Sequence, residues 1–249
     1  MAHIYIGDRS KADGEVMRRF SDLNDDFHIF GEFTCERIQA DWLVCRAASN
    51  ERPHSTVTLM ELKRTARPLR GQTFDIWHAR GDDGTWEEIT PSNQQNTNYF
   101  LQALNTANAI RGWMYNNQRL YLDPTRDRPE ADFRVWPDLV ILSPEGVVHQ
   151  LPYKPQNTKF GTWHFQLEPW IARTLDYVAP VGQGYSAADL RRLGEALGLT
   201  KVWPPAPAAK QPADDEDVGE TADLAAYFSK LHRRLATLER RLVALESGA

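Results

Sequence analysis

The chain has 249 residues, 41% of them hydrophobic and 25% charged, enough for one large domain plus an appendage and ordinary enough to bury a core. Its two cysteines, Cys35 and Cys45, exclude a multi-disulfide framework and a four-cysteine zinc site. No apolar run approaches the roughly 18 residues of a membrane span, and the opening MAHIYIGDRSKADGE lacks a secretory pattern, so no membrane contact and a reducing cytoplasm are expected. With 29 Lys+Arg against 34 Asp+Glu the net charge is −5, without the basic excess usual in a nucleic-acid-binding domain.

In chain order, SKADGEVMRRFSDL places Val16, Met17, Phe20 and Leu23 on one helical face. Three short runs rich in β-branched and aromatic residues follow, FHIFGEFTC, ADWLVCRA and VTLMELKRT, and read as strands. Asn50 to Ser55 supplies turn residues between the last two. Residues 93–117 predict a long helix with Phe100, Leu101, Leu104, Ala107 and Met114 inward. RVWPDLVILSP is a further buried strand. Ser186 and Asp189 form a capping-box start, with Gly198 as the stop. The order is that of a mixed α/β body spanning 1–203.

Residues 204–219 carry four prolines and the acidic run Asp214, Asp215, Glu216, Asp217, and read as a solvated linker. Beyond it, Leu224, Phe228, Leu231, Leu235, Leu238, Leu242 and Leu245 alternate at spacings of 4 and 3, a heptad seam. Arg234 with Glu239, and Arg241 with Glu246, complement each other across a parallel pair of helices. Residues 220–249 are therefore expected to form a coiled-coil helix that makes a homo-oligomer through 224–245, with a further C-terminal module or partner protein beyond it.

The chemistry concentrates between Gly14 and Gly71. Asp41 lies in QADWLVC, and Glu61-Leu62-Lys63 ends VTLMELK. In a strand Glu61 and Lys63 share one face and Leu62 takes the other. VTLM is apolar on both faces, so charge at its end requires an explanation. One explanation is a strand emerging into solvent. The other is a site in which Asp41 and Glu61, with the Leu62 carbonyl, hold Mg²⁺ or Mn²⁺, both oxygen-seeking cations. Lys63 beside it would orient an attacking water or stabilise a phosphorane-like transition state. A base role for Lys63 would require a depressed pKa.

Asp…Glu-x-Lys on adjacent strands resembles the core of the PD-(D/E)xK, restriction-endonuclease-like superfamily. The local wording is similar to the nuclease-related domain (NERD) family: Gly14-Glu15 at a helix, Gln39-Ala40-Asp41 before apolar residues, Met60-Glu61-Leu62-Lys63, a basic stretch, and Pro91-Ser92-Asn93-Gln94-Gln95. The likeness covers roughly residues 11–115. It departs at Ala40, Leu62 and Arg64, where Ile, Val and Asn are usual.

The resemblance implies a restriction-endonuclease-like mixed β-sheet flanked by helices. It also implies metal binding by Asp41 and Glu61, a catalytic Lys63, and Glu15 as an auxiliary acid. Gln39 and Gln95 would be polar groups that contact substrate or support the site. Arg64, Arg67 and Arg70 would meet DNA phosphates, with binding that depends on metal and salt. A second group, Arg119, Arg126, Arg128 and Arg134 with Tyr115 and Tyr121, offers aromatic interleaving among Asp123, Asp127, Glu130 and Asp132. Rival acids are Asp138, after Pro137, and Glu32, in place of Glu15. The implied function is Mg²⁺- or Mn²⁺-dependent hydrolysis of phosphodiester bonds in DNA, in DNA processing or defence against foreign DNA. The alternatives are a non-catalytic nucleic-acid-binding scaffold and an RNA-directed nuclease.

Overall fold

A computed structural model describes residues 1–203 except 9, 36, 90, 92–97, 124, 126–127, 153–161, 178, 180–181 and 183. The chain divides into two units, Met1–Ala206 and Pro207–Ala249. The expected linker and coiled coil lie outside the described residues, as do Gln95 and Arg126.

The first unit is a mixed α/β body. Its main sheet contains seven strands: β1 (His3–Ile6), β2 (Phe27–Cys35), β3 (Ile38–Arg46), β4 (Thr56–Arg64), β8 (Trp136–Leu142), β9 (Thr162–His164) and β10 (Thr200–Trp203). Their order is β10-β1-β2-β3-β4-β8-β9. Strands β2, β3 and β4 are antiparallel neighbours, and β8 continues parallel to β4. A second sheet orders β5 (Leu69–Arg70), β6 (His78–Arg80) and β7 (Trp86–Glu88). No helix among the described residues is long and apolar enough to cross a membrane.

Both faces of the main sheet are covered, which is why its central strands are apolar throughout. One face packs on α1 (Gly14–Ser21) and α4 (Leu167–Asp176), through Val16, Phe20, Leu167 and Trp170 against Trp42, Val44, Met60 and Val140. The other packs on α2 (Tyr99–Asn116), α3 (Gln118–Tyr121) and α5 (Ala187–Ala196), through Ala107, Ile110, Met114, Tyr121, Leu190 and Leu193 against Leu43, Cys45, Val57 and Leu59. Each buried side chain of this size contributes about 1.5–3 kcal/mol. Both cysteines are buried and free of disulfide.

The local signals that start and stop the helices are visible in the bonds. Asp13 caps α1 by accepting from the Glu15 and Val16 amides. Ser186 and Asp189 complete the expected capping box of α5, and Gly198 takes φ +70° beyond its end. In α2 the inward stripe differs from expectation. Phe100, Ala103, Ala107, Ile110 and Met114 are buried with Gln102 and Thr106, whereas Leu101 and Leu104 are half-buried. A stripe at spacings 3, 4, 3, 4 faces the sheet, and the two leucines fall beside it.

Candidate active site

The register of three strands assembles the acids. Pairing of β3 with β4 ends at Trp42↔Met60, so Asp41 and Glu61 come next on adjacent strands. Past that pair the strands separate, and the Asp41 carboxylate takes the place of a backbone partner. Its Oδ2 accepts the Leu62 amide at 2.8 Å. On the other side, β2 and β3 pair at Gly31↔Trp42 and at Phe33↔Ala40. The ladder is interrupted between these pairs, where Glu32 stands across from Asp41. Glu32 adopts φ +49°, a conformation rare for a residue with a Cβ. Three carboxylates thus occupy one row across β2, β3 and β4. Among the described residues, however, no three His, Cys, Asp or Glu side chains are arranged as a ready-made metal cluster.

Glu61 is the most enclosed of them, at 1% exposure. Its Oε1 accepts from Lys63 Nζ at 2.8 Å and from Gln102 Nε2 at 2.7 Å. Its Oε2 is buried with no donor, and so is the Oε1 of Gln102. Two orphaned acceptors in one enclosed site are costly to bury, about 1–3 kcal/mol each, and create a local demand for a cation or a proton. Lys63 also lies 5.4 Å from the centre of the Tyr99 ring.

Burial, then the neighbouring Asp41, pushes the Glu61 carboxyl upward. Burial also raises Asp41, against the opposing pull of Lys63 and the Leu62 amide. Burial and then Asp41 push Glu32 up to about 7. For Lys63, burial pulls downward, but Glu61 and Asp41 outweigh it and the net shift is upward. The lysine is therefore held as an ammonium, contrary to the depressed value that a base role requires.

The remaining expected residues fall elsewhere. Glu15 is exposed on α1, and its Oε2 accepts from Arg64 Nη2 at 3.0 Å. Arg64 also grips Asp13 through Nε at 3.0 Å and Nη2 at 2.7 Å. By strand alternation Arg64 lies on the face of β4 opposite Glu61 and Lys63, so Glu15 is not brought to the acidic row and Glu32 takes that place. Gln39 is exposed, with Nε2 3.4 Å from Glu32 Oε2.

The expected phosphate-binding arginines are mostly committed within the fold. Arg67 donates to the Arg80 and Ala79 carbonyls and pairs with Glu87. Arg70 lies over the Trp86 ring at 4.5 Å. In the second basic group Tyr121 is fully buried and donates to the Met114 carbonyl, which takes it out of the expected interleaving, whereas half-buried Tyr115, packed on Phe133, lines a surface groove with Arg119 and Arg128.

Asp138 is buried on β8 across from Met60, on the face away from Glu61. It accepts from the Thr162 amide at 3.1 Å, from Trp170 Nε1 at 3.0 Å and from Arg173 Nη1 at 3.4 Å. Burial pushes it up to about 6. Its acceptors are engaged in tying β8 to β9 and α4, which is a structural use.

Two site residues escaped the sequence reading or were ranked low by it, Gln102 and Glu32. The signal for Gln102 was its place beside the Ala103, Ala107 stripe. For Glu32 it was the spacing of three between Phe30 and Phe33, both in the same core, where a regular strand would alternate by two. Compared with protein-family models, with curated proteins and with solved structures, the chain matches none.

Proposed function

We propose that this protein is a metal-dependent nuclease that hydrolyses phosphodiester bonds of DNA, built on a restriction-endonuclease-like body of the NERD kind. One observation carries the reading. Asp41 and Glu61 stand on adjacent central strands just past their last pair, Trp42↔Met60, with Lys63 bonded to Glu61, in the order and spacing that the PD-(D/E)xK resemblance implies. The orphaned Glu61 Oε2 supports it, because a buried carboxylate oxygen without a donor suits a hard cation.

Mg²⁺ or Mn²⁺ fits this donor set; Asp41 and Glu61 would hold it, with the Leu62 carbonyl as the further ligand. When bound, the cation supplies charge to the scissile phosphate and lowers the pKa of water. Lys63, kept as an ammonium by the two carboxylates, stabilises negative charge that develops on phosphate oxygens. Gln102 fixes the rotation of the Glu61 carboxylate through its 2.7 Å bond. Glu32 adds negative charge beside Asp41 and tightens the demand for a cation. Oligomerisation through 224–245 would put more than one such site on a single DNA.

The test is incubation of purified protein with plasmid, linear duplex, single-stranded DNA and RNA, in Mg²⁺, Mn²⁺ or EDTA. Cleavage is expected with either metal and none with EDTA, with Asp41→Ala and Lys63→Ala each reducing the rate at least about 100-fold, as loss of a principal charge-stabilising group does. Cleavage that persists in both variants sinks the assignment. Absence of cleavage on every substrate favours the scaffold alternative.

A further inference from the structure

The small sheet β5–β7 follows Lys63 directly in the chain and borders a groove of about 700 Å³ lined by Arg70, Gln72, Phe74, Ile76, His78 and Gln150, among others. Phe74 is 56% exposed and Ile76 43%. These are two of the five large apolar side chains that stand exposed among the described residues, and a third, Val148, lies two residues before Gln150. Scattered exposed apolar groups need no explanation, but a concentration of them beside a polar groove does.

The segment that carries them is held in place. Asn98 is fully buried, and its Nδ2 donates to the Thr73 carbonyl at 3.0 Å and the Asp75 carbonyl at 2.8 Å. Trp77 Nε1 donates to the Gln72 carbonyl at 2.8 Å. Gly71 closes the other end at φ +156°, where a Cβ would stand 2.3 Å from Trp77 Cδ1. The same Asn98 caps α2, whose first residue Tyr99 lies under Lys63 and packs edge-on to Trp77. The two exposed side chains are therefore presented by a braced loop that shares its anchor with the proposed active site.

We propose that this groove seats the unpaired bases of a single strand, which makes single-stranded nucleic acid the preferred substrate class of the site; the inference rests on the nuclease reading above. Phe74 offers a ring to a base, and the Arg70 guanidinium, already stacked on Trp86, offers a planar cation whose outer face stacks on a second base or meets its phosphate. Gln72, His78 and Gln150 line the groove with hydrogen-bonding groups suited to base edges. A duplex would need a row of free cations for its phosphates. The cations that follow Lys63 in the chain, Arg64 and Arg67, are instead committed to Asp13, Glu15 and Glu87, and Arg70 is the one cation in the groove's described lining. The groove thus combines an exposed ring and apolar surface with hydrogen-bonding side chains and a single cation, a combination that suits unpaired bases better than a duplex backbone.

The test uses the full-length protein in EDTA, so that binding is read without cleavage. Fluorescence anisotropy follows a short labelled oligothymidylate and a labelled duplex of equal length. The wild type is expected to bind the single strand more tightly than the duplex. Phe74→Ser with Ile76→Ser should weaken single-strand binding roughly tenfold or more, the scale of a lost stacking contact, leaving duplex binding and the melting temperature unchanged. Phe74→Trp should retain wild-type affinity. Equal affinity of wild type and the double serine variant for the single strand, or no binding of any oligonucleotide, overturns the proposal. If the wild type cleaves DNA yet the double serine variant binds and cleaves as wild type does, the groove fails and the nuclease reading stands. If nothing is cleaved in Mg²⁺ while the single strand still binds through Phe74, the groove stands and the catalytic reading fails.

Discussion

Replacing Gln102 by Leu separates what the site needs from what the fold needs. Gln102 sits in mid-α2 and donates to Glu61 Oε1 at 2.7 Å while its own Oε1 is buried without a partner. A hydrogen bond to a charged group contributes about 1.5–3 kcal/mol net, and an unsatisfied buried acceptor costs about 1–3 kcal/mol. Leucine removes both and fills nearly the same volume, so the fold should lose at most about 2 kcal/mol. For a domain of this size that lowers Tm by about 4–8 °C. The site should lose more. Glu61 keeps only Lys63 to set its orientation, and removing a supporting bond from a metal-ligating carboxylate typically costs 10–100-fold in metal affinity or activity. Isothermal titration with Mn²⁺ and the rate of DNA cleavage measure the site, and a thermal melt in EDTA measures the fold. The reasoning is refuted if Mn²⁺ affinity and cleavage stay within about twofold of wild type, well inside that expected range. A fall in Tm far beyond the stated range would refute it too, because the bond would then be part of the fold's framework.

Two further outcomes follow from packing and titration. Gly31 lies beside Glu32 and under the Trp42 ring, where an added Cβ would meet Trp42 Cζ3 at 2.4 Å; Gly31→Ala should destabilise by about 1–3 kcal/mol. Because Trp42 adjoins Asp41, cleavage should fall more than stability predicts, and a variant that melts lower but cleaves normally would contradict this. His28 is buried with neither ring nitrogen bonded, and burial, then His3, Arg191 and Lys201, hold its pKa down to about 3. The unfolded chain binds that proton below about pH 6.5 and the folded one does not. Stability is therefore lost progressively as pH falls from about 6.5 toward 3, by about 2 kcal/mol at pH 5. His28→Phe should remove that component, so the variant's melts at pH 8 and pH 5 should differ by about 4–8 °C less than those of the wild type; identical pH profiles would rule it out.

Much of the scaffold was legible because its signals are local. The runs 27–35 and 57–65 (the latter one residue off β4) and the strand within RVWPDLVILSP are visible in β-branched and aromatic content alone, and the capping box of α5 in two residues. The charges at the end of an apolar strand left the pairing of Asp41 with Glu61 as one of two explanations, and the resemblance weighed for it, since twenty residues of sequence separation say nothing about register. Glu15 was read as the auxiliary acid because a carboxylate at a helix start beside the motif carries no mark of its partner; Arg64, on the other face of β4, claims it. The arginines after Lys63 misled for a related reason. A cation in a short polar segment is as well satisfied by carbonyls at the ends of neighbouring strands as by phosphate, and Arg67 finds two of these and Glu87. The strands of two and three residues in β5–β7 carry too little periodicity to be seen, and with them the groove stayed hidden.

Charge weighs the catalytic reading against the scaffold reading. Of the 29 Lys and Arg, six fall in 204–249, leaving 23 in the body; of the 34 Asp and Glu, eight fall there, leaving 26, so the body stands at −3. Within the site the three carboxylates of Glu32, Asp41 and Glu61 face one ammonium, and Glu61 is almost wholly removed from water. A fold that needed only its shape would be better served by Leu or Gln at position 61, which would relieve both the buried charge and the orphaned Oε2. The arginines nearest in sequence do not supply the relief. Arg64 is spent on Asp13 and Glu15, and Arg67 on Glu87. The deficit is thus local, enclosed and uncompensated by the chain itself, while a divalent cation between Asp41 and Glu61 would cancel it. Acids set side by side just past the last β3–β4 pair, one of them almost wholly buried, suit the proposed phosphodiester-cleaving enzyme, whereas the scaffold reading gives that buried charge no use.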